Sequence, residues 1–259
     1  MFSDTKCCIV FDLETTGLHY DAEIISIAAC DLQTRSKFYN EIRPRNLPIS
    51  KIVSELTGLT SQQLYRKPFW TTVGHAFWQW IEKLLKDTQK KELIFIGHNV
   101  RSFDIPRLLR ESKRLLRDRP FFECEAVWGL DTLDVSRKKF SHLKSHRQAS
   151  LFTHLFQKPP DMQHNAMGDV NALVTILDHL HNERDIDLKD VVYDLRSKHA
   201  KDLKQCAHLF KLSNMNSRDI RHFWKNTRNR DFAIQNLHCS RCDAIYSSIF
   251  QHSCAPSGT

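Results

Sequence analysis

Apolar residues dominate two early segments of the chain. Residues 7–13 and 23–30 are apolar runs of strand length, and residues 37–43 alternate between apolar and polar positions before Pro44. Continuous runs are typical of strands buried on both faces, whereas alternation is typical of a half-buried strand. Three successive strands with short connections predict an antiparallel meander at the start of the fold.

The hydrophobic period then changes, because apolar residues begin to recur at helical spacing and short apolar runs appear between them. Helices that alternate with strands predict a mixed α/β domain, in which helices flank a five-stranded mixed sheet. The remaining predicted elements are a helix that includes Val73, Phe77, Trp80, Ile81 and Leu84, a strand over 93–96, a helix over 102–116, a strand over 126–133, and helices over 148–156 and 167–181.

Beyond residue 182 the strand signals fade, and residues 190–224 carry apolar positions at helical spacing. We therefore predict a first domain over 1–182 and a mainly helical C-terminal extension over 183–259. The extension is basic, with 13 Lys or Arg residues against nine Asp or Glu. Contact with nucleic acid and an ordinary solvated helical face are both consistent with that charge.

Composition narrows the class of protein further. The whole chain has 38 basic and 30 acidic residues, a net charge of +8 that favours an anionic partner, nucleic acid before a membrane surface. With seven glycines and eight prolines the collagen-like and low-complexity classes are excluded, and no apolar run reaches the roughly 20 residues that span a bilayer. The first residues do not resemble a secretory signal, so we expect an intracellular protein, in cytoplasm or nucleus, with reduced cysteines.

Two carboxylates stand two residues apart at the end of the first strand, Asp12 and Glu14. Alternation along a strand places both on one face. Two neighbouring carboxylates repel and are costly to desolvate, so the pair favours a divalent cation such as Mg²⁺ or Mn²⁺. A strand end that simply reaches solvent is the alternative, and the pair alone does not decide between them.

Further acids follow in two later segments. Asp104 stands in the first turn of a predicted helix, where an acid also complements the helix dipole. His164 precedes Asp169 by five residues, just before and into another predicted helix. Each segment has a purely structural interpretation, but together they place four acids and one histidine at strand ends or helix starts.

In order and context these segments resemble the three motifs of the DnaQ-like, or DEDDh, 3′–5′ exonucleases, whose fold is ribonuclease H-like. The resemblance covers about residues 7–180, and the short domain with its extension looks most similar to three-prime repair exonucleases and PML-exonuclease-like proteins. Residues 55–60 resemble the family's His-Gly-Ile-Thr turn, with Thr57 in place of the histidine. Asp131 belongs to a segment that resembles the family's Asp-Thr-Leu strand, and we expect it to be structural.

The resemblance implies a two-metal hydrolysis of phosphodiester bonds that releases nucleoside 5′-monophosphates from a 3′ end, single-stranded DNA being favoured. It implies two Mg²⁺ or Mn²⁺ ions roughly 3.5–4 Å apart, held by Asp12, Glu14, Asp104 and Asp169, with His164 as general base. It also implies that the 3′-terminal nucleotide contacts the segment Thr15, Thr16, Gly17 and Leu18, together with Asn99.

Two alternatives remain open for the function. One is a 3′–5′ exoribonuclease, because nothing in the motifs identifies the sugar. The other is a non-catalytic scaffold that binds nucleic acid on a nuclease fold, against which stand the five occupied catalytic positions. The sequence does not give the oligomeric state, and a homodimer is one of the states it leaves open.

The last cysteines form a candidate metal site of their own between residues 238 and 254. Cys239 and Cys242 form a Cys-x2-Cys motif, and His252 and Cys254 follow. Four such ligands suit tetrahedral Zn²⁺. Free cysteines in a terminal segment are the alternative interpretation.

Overall fold

The five predicted strands pair into one mixed sheet with β1 in its middle. In the computed structural model, β1 (Lys6–Thr15) pairs antiparallel with β2 (Ile24–Asp31), which pairs antiparallel with β3 (Lys37–Glu41). On its other side β1 runs parallel to β4 (Glu92–Gly97), which runs parallel to β5 (Ala126–Asp131). The predicted meander and the mixed α/β sheet are therefore confirmed.

The structure describes residues 6–19, 21–115, 126–161 and 165–182, and three short strands at 192–194, 237–238 and 245–246. The chain divides into two units, 1–199 and 200–259. Among the described residues, no helix is both long and apolar enough to cross a membrane. The helices of the first unit are α1 (Lys51–Thr57), α2 (Ser61–Tyr65), α3 (Trp70–Thr88), α4 (Asp104–Leu115), α5 (Thr132–Lys139), α6 (Gln148–Phe156) and α7 (Ala166–Asn182).

The core places the start of α7 against the middle of the sheet. Val170, Leu173 and Leu177 of α7 pack in one apolar cluster with Val10 of β1 and Ala28 of β2. Each of these side chains is at most 5% exposed, so the docking of α7 on β1 and β2 rests on burial of apolar surface. The first turn of α7 is thereby held beside β1.

The sheet has a sixth strand that the sequence does not predict. Residues 190–224 are predicted to be helical, yet β6 (Val192–Asp194) lies there and pairs antiparallel with β5. An open sheet edge offers unpaired backbone groups, and β-branched and aromatic residues such as Val192 and Tyr193 suit strand pairing. The helical prediction is wrong for these three residues. In the second unit the structure describes only a hairpin, β7 (Leu237–His238) with β8 (Ile245–Tyr246).

The boundary between β5 and α5 also differs from the prediction. The predicted strand continues to residue 133, whereas β5 ends at Asp131 and α5 begins at Thr132. The Asp131 side chain caps α5, because it accepts a hydrogen bond from the backbone N–H of Leu133 at 3.0 Å. The cap ends the strand two residues earlier than its apolar pattern suggests.

Candidate active site

Three carboxylates from two elements meet near the carboxyl end of β1. Asp12 and Glu14 lie on one face of β1, since side chains alternate along a strand. Asp169 lies in the first turn of α7. Carboxylate oxygens of the three residues all lie within 4.8 Å of one another. The structure thus brings together three of the four acids that the sequence predicts as metal ligands.

Two amide side chains hold Asp169 in place, and the sequence analysis missed both. The Asn165 Oδ1 accepts from the backbone N–H groups of Met167 at 3.1 Å and Gly168 at 3.2 Å, which caps α7. The Gln148 Nε2 on α6 donates to the backbone oxygen of Asp169 at 2.7 Å. The preference for Asn at helix starts is a signal for Asn165. No local signal exists for Gln148, which lies 21 residues from its partner.

The fourth predicted acid, Asp104, approaches the same strand from α4. It stands in the first turn of that helix and is 4% exposed. Its Oδ1 accepts a hydrogen bond from the backbone N–H of Leu13 at 3.2 Å. Leu13 lies between Asp12 and Glu14 in β1, so the bond attaches α4 to the strand at the height of the other acids.

The electrostatics of the cluster oppose its ionisation. Burial raises the pKa of Asp12 well above its usual range, and the charges of Asp104 and Asp169 raise it further. Burial, then Asp12 and Asp169, raise the pKa of Glu14 to about 8. Burial also raises the pKa of Asp104 to about 8, although the hydrogen bond from Leu13 acts in the opposite direction. Without a cation, burial and mutual repulsion therefore favour the protonated form of these acids.

This donor set fits a hard divalent cation. Asp12, Glu14 and Asp169 offer only carboxylate oxygens, which Mg²⁺ and Mn²⁺ prefer, whereas Zn²⁺ sites are usually built from sulfur and nitrogen as well. A bound cation would also offset the repulsion that raises the pKa values of these acids. The arrangement is the kind that supports metal-assisted hydrolysis.

The loop that follows β1 presents an apolar side chain to solvent. The Thr15 hydroxyl donates to the Gly17 oxygen at 2.7 Å, and the Thr16 hydroxyl accepts from the Glu23 N–H at 3.0 Å. These bonds fix the backbone, while the Leu18 side chain is 85% exposed. An exposed leucine on an ordered loop is available to contact a ligand.

The loop from β4 to α4 is held by Asp131. Its two carboxylate oxygens accept from the backbone N–H groups of Asn99 at 2.8 Å and Arg101 at 2.9 Å. Asn99 has φ 63°, a left-handed conformation that asparagine tolerates, and its side chain is exposed. Asp131 is therefore structural, as expected. Its hydrogen bond holds the Asn99 backbone, while the Asn99 side chain is exposed.

Thr57, which replaces the histidine of the family's His-Gly-Ile-Thr turn, makes hydrogen bonds at the end of α1. Its hydroxyl donates to the Val53 oxygen at 2.8 Å and accepts from the Leu59 N–H at 3.2 Å. Gly58 follows with φ 72°, which ends α1. The threonine thus serves the end of the helix.

The predicted general base, His164, lies outside the described residues, as do all four predicted zinc ligands, Cys239, Cys242, His252 and Cys254. These assignments stay predictions.

The family of the chain follows from a comparison with known proteins. A family model described as Exonuclease, RNase_T, matches residues 9–177, a range that contains all four acids. This chain belongs to the exonuclease family. The resemblance of its motifs to the DnaQ-like superfamily is thereby confirmed.

Curated relatives match about two thirds of this exonuclease-family chain. The DNA polymerase III PolC-type of Bacillus subtilis (strain 168) is 32% identical over 176 residues, which are 65% of this chain and 11% of that protein. The PolC-type polymerase of Caldanaerobacter subterraneus is 27% identical over 188 residues, which are 71% of this chain and 12% of that protein. The chain thus spans about a ninth of the length of these relatives.

Solved structures share the fold. Exonuclease I of E. coli, in a complex with single-stranded DNA, has a TM-score of 0.56 at 21% identity, over 72% of this chain and 42% of that chain. The nuclease domain of 3′hExo, a DEDDh family member bound to rAMP, has a TM-score of 0.56 at 17% identity, over 70% and 94% of the two chains. At these identities the likeness shows the ribonuclease H-like exonuclease fold.

Proposed function

We propose that this chain is a metal-dependent 3′–5′ exonuclease that releases nucleoside 5′-monophosphates from the 3′ end of nucleic acid, with single-stranded DNA as the favoured substrate. The observation that carries the proposal is the cluster of Asp12, Glu14 and Asp169, whose oxygens lie within 4.8 Å of one another beside Asp104. Structural neighbours that bind single-stranded DNA support the choice of polymer.

The acids would hold two Mg²⁺ or Mn²⁺ ions. When bound, such ions would supply activation of the attacking water and neutralise charge on the leaving 3′ oxygen. His164 would accept the proton of that water, a task that suits an imidazole with an ordinary pKa of about 6.5. The proposal rests on the charge and the close spacing of the acids.

The loop residues would orient the last nucleotide. The backbone near Thr16 and Gly17 would contact the terminal sugar and phosphate, and the exposed Leu18 would pack against a base. Asn99 would add a polar contact from the β4–α4 loop. Such contacts would not depend on the base sequence, because every base offers an apolar face.

A second candidate is a 3′–5′ exoribonuclease. One similar structure is a 3′-exonuclease that recognises the 3′ end of a histone mRNA stem-loop, and it has a TM-score of 0.55 at 17% identity over 68% of this chain. A scaffold without catalysis is less well supported, because the buried acids raise one another's pKa at a cost that a binding surface alone does not require.

A matched substrate panel separates these candidates. Linear single-stranded DNA, duplex DNA and single-stranded RNA of one sequence are incubated with the full chain and Mg²⁺. We expect rapid shortening of single-stranded DNA, its loss in the Glu14→Gln variant, and unchanged activity in Glu82→Gln, an exposed glutamate on α3. Faster degradation of RNA would favour the exoribonuclease, and equal rates for wild type and Glu14→Gln would refute the proposal.

An exonuclease domain over 1–182 would be followed by an extension over 183–259. A Zn²⁺ ion held by Cys239, Cys242, His252 and Cys254 would stabilise the end of this extension. β7 ends directly before Cys239, and β8 begins three residues after Cys242, so a described hairpin flanks the first two ligands in sequence. An intracellular location and a partner with a free 3′ end belong to the same proposal.

A further inference from the structure

Arg107 is a buried arginine that joins α4 to the β1–β2 loop. It is 6% exposed, although arginine is rarely buried. Its Nε has no hydrogen-bond partner among the described residues, so its contacts are made by the two terminal nitrogens. Its Nη2 donates to the backbone oxygens of Leu18 at 2.8 Å and His19 at 3.0 Å. Its Nη1 donates to the Phe103 oxygen at 3.0 Å, one turn back on the chain. A single guanidinium therefore binds backbone carbonyls of the β1–β2 loop and of the segment just before α4.

Stacking and a neighbouring arginine reinforce this link. The guanidinium carbon lies 3.6 Å from the centre of the Phe103 ring, which restricts its orientation. One helical turn further along α4, the Arg110 Nη2 donates to the backbone oxygen of Ala22 at 2.7 Å. The loop is thus attached to α4 at Leu18, His19 and Ala22.

The attachment of the loop is made through the helix that carries Asp104. Asp104 begins α4 and accepts a hydrogen bond from Leu13 of β1, so one rigid element connects an acid of the site to the loop. Beside the attachment lies a cleft of about 260 Å³. The cleft is lined by Leu18, Ser102, Pro106, Arg107 and Arg110.

The hydrogen bonds from Arg107 and Arg110 reach only backbone oxygens of the loop and leave the Leu18 side chain exposed. The carbonyl of Leu18 is bound by Arg107, whereas the Leu18 side chain is 85% exposed. A loop whose backbone is already held in place loses less conformational entropy when a ligand binds, which increases affinity. Removal of the link would therefore weaken binding at Leu18 without removing any acid.

We propose that Arg107 is a positioning residue, which holds the Leu18–His19 backbone ready to bind the last nucleotides of the substrate strand. The inference rests on the proposed exonuclease function and deepens it. The forked geometry of the guanidinium is essential to the role, because two donors from one nitrogen and one from the other reach three separate carbonyls. A lysine has the same charge but lacks this fork.

Two substitutions separate the link from its charge. Arg107→Lys keeps a positive charge near Asp104, and Arg107→Met keeps an unbranched apolar side chain without donors. Arg66→Met, at an exposed arginine on the C-terminal side of α2, is the control for loss of one charge. Steady-state rates on single-stranded DNA of increasing concentration give kcat and KM, and hydrogen exchange reports the amides of the β1–β2 loop.

We expect KM to rise about tenfold in both Arg107 variants, which corresponds to about 1.4 kcal/mol of binding. We expect kcat to stay within about threefold in Arg107→Lys, with faster exchange in the loop and unchanged exchange in β4. A merely structural role would lower the active fraction and therefore kcat, with KM unaltered.

Wild-type KM in Arg107→Lys would overturn the inference, because charge alone would then suffice. Unchanged loop exchange in both variants would overturn it as well. An inactive wild-type protein would refute the proposed function and this inference together. If the wild type is active and both Arg107 variants have the wild-type KM, the inference alone is overturned.

Discussion

Replacing Glu14 with glutamine removes one carboxylate from the half-buried cluster, and the consequence for stability depends on pH. The pKa of Glu14 is raised from its usual 4.5 to about 8, by burial and by the charges of Asp12 and Asp169. The folded metal-free protein therefore binds this proton more tightly than the unfolded chain. The resulting stabilisation is fully present below about pH 4.5 and is lost as the pH rises through about 8.

The size of the effect follows from the same pKa values. A tenfold change in proton affinity is worth about 1.4 kcal/mol, so a pKa of about 8 instead of 4.5 corresponds to about 5 kcal/mol at most. Solvent reaches the half-buried side chain and reduces this value, and we expect about 1–3 kcal/mol. In EDTA at pH 8.5 the Glu14→Gln variant should therefore be more stable than wild type, by about 3–9 °C in Tm.

Addition of Mg²⁺ should reverse the order of stability. A cation that binds only the folded protein stabilises it by about 2.7 kcal/mol at a hundred times its Kd, and Glu14→Gln would lose much of that gain. Thermal melts between pH 5 and 8.5, with EDTA or with excess Mg²⁺, measure both effects, and Glu82→Gln is the matched control. Parallel pH curves for wild type and Glu14→Gln in EDTA would refute this account of the cluster.

Three further predictions concern the scaffold and the tail. A Cβ at Gly97 would lie 2.8 Å from the Cβ of Val100 and 3.1 Å from the Phe11 oxygen, so Gly97→Ala should cost about 1–3 kcal/mol in urea unfolding; an unchanged midpoint would contradict this packing. In Asp131→Asn, the new side-chain NH₂ group would replace one acceptor oxygen and leave the backbone N–H of either Asn99 or Arg101 without its hydrogen bond, at a cost of about 1–3 kcal/mol. An unaltered free energy of unfolding would contradict the role of Asp131 as the anchor of the β4–α4 loop. Protein purified without chelator should carry about one equivalent of zinc, which the Cys239→Ser variant should lose; metal analysis that finds none in the wild type ends the zinc hypothesis.

The sheet and the acid cluster were accessible from sequence because their signals are local. Residues 7–13 are apolar except for Asp12, which stands two residues before Glu14 and therefore on the same face of the strand. A costly acid in a buried strand indicates a site even before the fold is known. The helical period around Val73 and Phe77 likewise needs no tertiary information.

Features that depend on a distant partner were not accessible in this way. The pairing of β6 with β5 depends on an open sheet edge rather than on the residues of β6 alone. Asp131 ends β5 because its side chain caps α5 and also binds the β4–α4 loop. Two of the three acceptors of Arg107 lie 88 and 89 residues away, so from sequence it is one more basic residue on a basic helix.

The two short helices α1 and α2 illustrate a weaker local signal. Ser50 caps α1 through the Val53 N–H, and Thr60 forms a capping box with Gln63 at the start of α2. With only seven and five residues, these helices are too short to show a hydrophobic period. Their only local signals are the capping residues Ser50, Thr60 and Gln63.

The central claim is that the carboxylate cluster removes nucleotides from a free 3′ end. The most direct test incubates linear and circular single-stranded DNA of one sequence with the full chain and Mg²⁺, beside the Asp12→Asn variant and the exposed control Asp87→Asn. We predict that the linear strand, labelled at its 5′ end, shortens progressively while nucleoside 5′-monophosphates accumulate, that the circle stays intact, and that Asp12→Asn is inactive. Cleavage of the circle at the same rate, or full activity in Asp12→Asn, would contradict the account.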